Sequence, residues 1–289
     1  MAPAITHFLV GASLLLVLVT PIALRYDIDR ENAIWLIPIG GVWGLLPDVH
    51  HITPVFETQL YALHNAAWMD LFGLHYTLDR QAIRVRYVES VFGAIGLFIV
   101  SVAVFWQTGR LRARAVASDG TPDRRLLSLV ATAVAAGYGT VALGIAVSIQ
   151  NGFPTVSALV GRDSVLVGGA LLIPIGIGIG LFCGLGLETV LNLEHRTRPL
   201  SAALTGGLLG SAGWVGGVVV GVPMVLQISF ASDAAPSVPF LHWGSLGGLI
   251  VYGTLFGAVY ALVYGVFHEG SAKRSVSARG ERTRVQKDS

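Results

Sequence analysis

The sequence predicts an all-α, polytopic transmembrane helix bundle of about seven crossings, and three observations carry that prediction. Long apolar stretches fill most of the chain. The composition is 53% hydrophobic and only 12% charged, against roughly 25% charged residues in soluble domains. Almost every Lys and Arg falls between the stretches rather than inside them.

A helix needs about 20 apolar residues to cross the hydrocarbon of a bilayer. Phe8–Leu24 is the first candidate; no basic residue precedes it, and Pro21 followed by Arg25 offers no small-residue cleavage site, so it reads as a retained helix and not a signal peptide. Ala33–Leu46 is short and interrupted by Pro38, Gly40 and Gly41, and it reads either as a crossing or as a re-entrant segment. Ser90–Trp106 is long enough to cross, and Leu126–Ile149, Ser164–Leu191, Leu200–Leu226 and Phe240–Phe267 each exceed the required length. The chain thereby divides into residues 1–106, with spans and a polar loop; a basic cytoplasmic linker at 107–125; a glycine-rich four-helix transmembrane bundle at 126–267; and a basic flexible tail at 268–289.

Charge placement sets the expected orientation. If the short segment crosses, one side collects Arg25, Arg30, the five arginines of the linker, Arg196, Arg198 and the six basic residues of the tail, while the other side has only Arg80, Arg84, Arg86 and Arg162. Fifteen basic residues against four is the asymmetry of a protein whose basic loops stay in the cytoplasm, which puts the N-terminus outside and the C-terminus inside. Seven helices in this orientation also describe microbial rhodopsins, but a retinal Schiff base needs a lysine that Phe240–Phe267 lacks. The net charge of +2 is too small to argue for a nucleic-acid partner. The single cysteine, Cys183, lies in an apolar span, lipid-facing or packed, and forms no intramolecular disulfide.

Glycines recur at four-residue spacing in the second half: Gly176, Gly180 and Gly184; Gly206 and Gly210; Gly213, Gly217 and Gly221; Gly253 and Gly257. Each series lies on one helix face, where it lets backbones approach closely within a protomer or between copies in a homo-oligomer. Glu188, Glu194 and His195 cluster at the end of one span beside Arg196 and Arg198, as interfacial charges do.

The residues able to do chemistry concentrate early. Five of the eight histidines lie between His7 and His75. His7 opens the first span; Asp48, His50 and His51 close the short segment; and His64, Asp70, His75 and Asp79 follow in the next loop. The start of one crossing and the end of the next share a membrane side, which brings His7 toward Asp48. Imidazole with carboxylate is ligand chemistry for a divalent transition metal, zinc above all. His7, Asp48, His51, His64 and His75 are the candidate ligands, with Asp70 and Asp79 as candidate catalytic bases or supporting groups. Along one straight helix His64 and His75 would lie about 16 Å apart, so sharing an ion requires a break, which Gly73 offers.

An early histidine followed by Gly-x-x-Pro-Asp-x-x-His resembles the family of inner-membrane-associated metal-dependent hydrolases, distantly similar to zinc-dependent phospholipase C enzymes. The resemblance covers the first third of the chain. It maps the family's early histidine and its Pro-Asp-x-Asp-His element onto His7, Asp48 and His51, with His50 where the second aspartate is expected. The family's His-Arg-Gly-x-Thr-His element is missing; its nearest counterparts are His64 and the stretch Gly73–Asp79. The resemblance implies metal-activated water attacking a phosphoester or similar bond. A transporter or channel, and a non-catalytic assembly protein, are the other function classes; broken helices are present for the former, without charges near the bilayer midplane.

The orientation has a direct test after removal of Cys183. Cysteines placed near Glu57 and near Ser157 should react with an impermeant reagent added outside, while one near Ala117 stays protected; the reverse pattern would overturn the assignment.

Overall fold

The computed structural model describes residues 2–26, 28, 31, 33–117, 123–230 and 236–285. The linker segment 118–122, most of the 27–32 connection and the end of the tail lie outside the described residues.

Six helices among the described residues are long and apolar enough to span a bilayer, which makes this a multi-pass membrane protein. They are α1 (Ala4–Tyr26), α6 (Tyr87–Ala117), α7 (Arg124–Ile149), α9 (Val165–Val190), a composite span and α13 (Trp243–Val285). The composite joins α11 (Pro199–Gly213), a π-helical stretch (Trp214–Gly221) and α12 (Val222–Phe230). Between α1 and α6 lies α2 (Ala33–Leu45), followed by a 3-10 turn at Leu46–His51, α3 (Glu57–His64), a second 3-10 turn at Ala67–Leu71, α4 (His75–Leu78) and α5 (Gln81–Arg84). Short helices α8 (Phe153–Ala158) and α10 (Leu193–Arg196) join the later spans. With 13 residues, α2 is about 20 Å long, less than the roughly 30 Å of hydrocarbon. The helix of α13 continues past its apolar part to Val285, through residues expected to form a flexible tail.

Contacts between the helices fix their directions. A side chain at Gly11 of α1 would meet the backbone of Gly40 and Gly44, and one at Gly44 would meet the carbonyl of His7, so α1 and α2 form an antiparallel hairpin with His7 beside the end of α2. Near the end of α6, Arg112 donates to the carbonyl oxygens of Leu24, at 2.8 Å, and of Arg25, so α6 runs parallel to α1. Arg25 in turn donates to the carbonyl of Gly265 at 2.8 Å, placing the end of the α13 span at the same membrane end. The opposite end carries residues 46–86 and, through Ser148, the end of α7. Arg112 thus satisfies carbonyls that the last turn of α1 leaves without partners, whereas Arg25 ties α1 to a carbonyl within α13.

In lipid an apolar side chain gains little by leaving its solvent, so close backbone approach and interhelical hydrogen bonds hold the bundle. Glycine faces supply the first. Gly206 and Gly210 press against Gly253 and Leu249 of α13, while Gly176, Gly180 and Gly184 meet Thr140, Ala136 and Thr132 of α7. Gly217 differs from the expectation for its series: a side chain there would meet nothing within 4 Å, because the π-helical stretch turns it toward open space. Hydrogen bonds supply the second. Tyr252 donates to the Gly176 carbonyl at 2.6 Å and Tyr138 to that of Val17 at 2.6 Å. Ser128 lies 3.0 Å from the Tyr260 hydroxyl and donates to Glu188, so Glu188 is tied into the bundle and not left to interfacial water.

The most enclosed span is α13, on which Tyr252, Phe256, Tyr260 and Tyr264 stack in succession with ring centroids 6.2, 6.1 and 5.6 Å apart. Their four-residue spacing places them on one face, and Cys183 packs within the same core, fully buried. Gly180→Leu should lower thermal stability in detergent by about 1–3 kcal/mol, because even its Cβ would sit against Ala136 and 3.0 Å from the Tyr252 hydroxyl. An unchanged unfolding temperature would refute this packing.

Candidate metal centre

Four separate pieces of chain build one buried polar cluster. The start of α1 supplies His7, the 3-10 turn after α2 supplies Asp48, His50 and His51, the end of α3 supplies His64, and α4 with its cap supplies His75 and Asp79. Pro47 near the start of that 3-10 turn suits a helix beginning, where its missing N–H costs nothing.

A tight glycine junction brings the pieces together. Gly73 has φ +67° and, with Leu74 at φ 62°, reverses the chain after the second 3-10 turn. A Cβ on Gly73 would lie 3.1 Å from Gly11 Cα and 3.5 Å from Gly44 Cα. Glycine serves here for both reasons at once, the left-handed backbone and the close approach. The reversal folds His75 back until its Nε2 is 3.2 Å from His64 Nδ1, which an uninterrupted helix would forbid.

His7, His64 and His75 are 1%, 5% and 0% exposed. His7 stacks on His75 with centroids 4.0 Å apart, and its Nε2 lies 3.4 Å from Asp79 Oδ1. His75 Nε2 is 3.4 Å from Asp48 Oδ1 and 3.8 Å from Asp79 Oδ2; His64 Nε2 is 3.1 Å from Asp79 Oδ2. Two atoms that each bind one zinc at about 2 Å lie up to about 4 Å apart, so these separations suit shared ligation. Among the described residues three sets have ligand atoms within 4.8 Å of one another: His7, Asp48 and His75; His64, His75 and Asp79; and Asp48, His50 and His51.

Hydrogen bonds orient the rings. His75 Nδ1 lies 3.1 Å from the Gly44 carbonyl; donation there places the ring hydrogen on Nδ1 and leaves Nε2 as a lone pair facing the cluster. His50 Nδ1 makes the same contact with the Pro47 carbonyl at 3.1 Å. Such outer contacts fix the tautomer of metal-binding histidines. Meanwhile His7 Nδ1 and Nε2, Asp48 Oδ1, His50 Nε2 and Asp79 Oδ2 are buried and make no hydrogen bond among the described residues, a costly arrangement unless a cation completes it.

The electrostatics favour ligand-ready protonation states. Burial works against the charge on Asp48, but His75 and the other imidazoles hold its carboxyl below the ordinary range. Burial likewise opposes the charge on Asp79, whose carboxyl His7 and the Ala2 amide nonetheless hold well below that range; the Ala2 N–H donates to Asp79 Oδ1 at 2.5 Å. Burial, and then the neighbouring His75, push His64 down, so the carboxylates are charged while His64 is neutral at pH 7.

Of the residues singled out from sequence, His7, Asp48, His64 and His75 meet in the cluster, and His51 stands at its exposed side. Asp79 lies among the candidate ligands. Asp70 lies elsewhere: its oxygens accept from the Thr77 amide at 2.7 Å, the Thr77 hydroxyl at 2.7 Å and the Ser148 hydroxyl at 2.9 Å, so it anchors the loop to α7. Sequence reasoning missed His50 as a candidate ligand, although its place beside His51 was visible. It also missed the Ala2 amide, which no residue pattern marks.

Comparison with protein-family models, with curated proteins and with solved structures gives no match for this chain. The fold and the cluster define it as a multi-pass membrane protein with a buried His/Asp constellation able to hold a metal.

Asp70→Asn should lower stability by about 1–3 kcal/mol, since it weakens an acceptor for three buried or half-buried donors. Thermal unfolding in detergent measures this; wild-type stability in the variant would sink the anchoring role.

Proposed function

We propose that the cluster binds a divalent transition metal, zinc first among them, through His7, Asp48, His64, His75 and Asp79, with His50 and His51 alongside. The supporting observation is the position of His64. One ring nitrogen faces His75 Nε2 at 3.2 Å and the other faces Asp79 Oδ2 at 3.1 Å. A neutral imidazole has one N–H for these two acceptors, and its surroundings disfavour the doubly protonated form. A cation among the lone pairs removes the conflict.

With the partial resemblance to membrane metal-dependent hydrolases, the donor set supports a hydrolase, or an inactive relative of one, acting at a membrane face. A bound metal would supply an activated water and polarise a phosphoester oxygen. The chain's own residues would do the rest. The Gly44 and Pro47 carbonyls hold imidazole tautomers, the Ala2 amide holds Asp79, and the walls of α1 and α2 limit bulk water. Asp79 is the candidate for proton transfer where it does not ligate. The reading also takes α2 as a seventh crossing and places the cluster on the outer face, where the sparser set of basic residues lies.

Metal analysis of detergent-purified full-length protein tests the proposal. A stoichiometric transition metal is expected in wild type, with loss of at least tenfold in affinity for His75→Ala and for Asp48→Ala. Retention of full metal by both variants, or a wild type that binds none after metal supplementation, would overturn the site. A chromogenic aryl phosphodiester then tests the chemistry: turnover that is lost with the metal supports hydrolysis, and a metal-loaded protein without turnover against this and lipid phosphoesters would leave the ion a structural one.

A further inference from the structure

A second feature lies away from the His/Asp cluster, among α7, α9, the π-helical stretch and the start of α13. A cavity of about 680 Å³ opens there, within the range of ligand pockets. At its floor Phe182 of α9 comes close to Gly213, where an added Cβ would lie 3.6 Å from the ring. Above the floor α9 and the composite span diverge. Gly178, Gly216 and Gly217 line the gap, are exposed, and would each present a new Cβ to open space.

The gap has a direction and a depth. It runs from Phe182 to Leu172 along α9, ten residues or about 15 Å of helix, which is half of the roughly 30 Å hydrocarbon core. Its rim is polar and lies at the end of the bundle that carries the His/Asp cluster, where Gln150, Thr155 and His242 surround the mouth. Trp243, exposed and stacked on Trp214 at 5.8 Å, stands at the same level, where tryptophans mark the membrane–water interface. The interior below the rim is apolar, and water there would lack the two to four polar partners that it needs.

The rim offers a donor. His242 Nδ1 accepts the Ser245 amide at 3.2 Å, so the hydrogen of the neutral ring is on Nε2, the nitrogen left to bind a ligand. We infer that this cleft holds one acyl chain of a phospholipid from the leaflet at the site end, the chain against the three glycines and its ester or phosphate oxygens beside His242. One leaflet's depth, a polar rim at headgroup level and an apolar interior open to the bilayer together specify that occupant. The inference is independent of metal binding.

Native mass spectrometry of the full-length protein, purified in detergent and titrated with palmitoyl-oleoyl phosphatidylglycerol, tests it. Wild type should retain one lipid saturably, with a rise in unfolding temperature. Gly178→Leu and Gly217→Leu should each fill the cleft, reduce retained lipid at least tenfold, and keep the lipid-free unfolding temperature and metal content of wild type. Having two variants guards against misfolding in either, and His242→Ala should weaken retention without filling the cavity. Equal retention in wild type and every folded variant would show annular lipid only and overturn the site. So would a wild type that retains none, or a dimer mass abolished by Gly217→Leu, which would assign the cleft to a second copy.

Discussion

The close approach of Gly11, Gly44 and Gly73 is the constraint on which the buried cluster depends. At this point three segments come within a distance that no side chain but hydrogen permits. The first two let α1 and α2 pack backbone to backbone; the third tucks the returning loop over them. His7, Asp48 and His75 meet because each lies within a few residues of one of these glycines. Gly44 takes part twice, since its N and Cα pack against Gly11 in the hairpin and its carbonyl receives the His75 ring. A bilayer rewards this design, because packing and hydrogen bonding carry the association that water would otherwise drive.

The two membrane ends use polarity differently. At one end arginines tie helices together, with Arg112 donating to the last turn of α1 and Arg25 to a carbonyl of α13. Charge there is structural and each contact is a donor meeting an acceptor. At the other end, acceptors and lone pairs face one another across short distances, at the cost of buried groups that have no hydrogen-bond partner among the described residues. Such a concentration of ligand atoms could hold a metal ion.

Much of the scaffold was legible in the sequence because a transmembrane helix declares itself by length and hydropathy alone. Six of the spans stood out in this way, and so did the glycine faces against α7 and α13. Gly217 was misread because four-residue spacing presumes α-helical periodicity, and the π-helical stretch from Trp214 to Gly221 shifts the face. The histidines and aspartates were legible as a group, since chain reversal had to bring His7 toward Asp48. What could not be read was the role of Gly40 and Gly41, which look like interruptions of a weak helix until α1 is laid against them. The division of labour between Asp70 and Asp79 was hidden for a related reason: it depends on Thr77 and Ser148, separated by 71 residues in the chain.

The central position of α13 bears on how the protein is made. Its aromatic face touches α7 and α9, its glycines fit those of α11, and the carbonyl of Gly265 secures Arg25 of α1. Yet it is the last of the described spans to leave the ribosome. Until it enters the membrane, the earlier helices carry their small-residue grooves facing lipid and Arg25 lacks its acceptor on α13. Assembly of the bundle is therefore a late event in biosynthesis, and a chain truncated before α13 would present membrane quality control with inserted helices that have no hub.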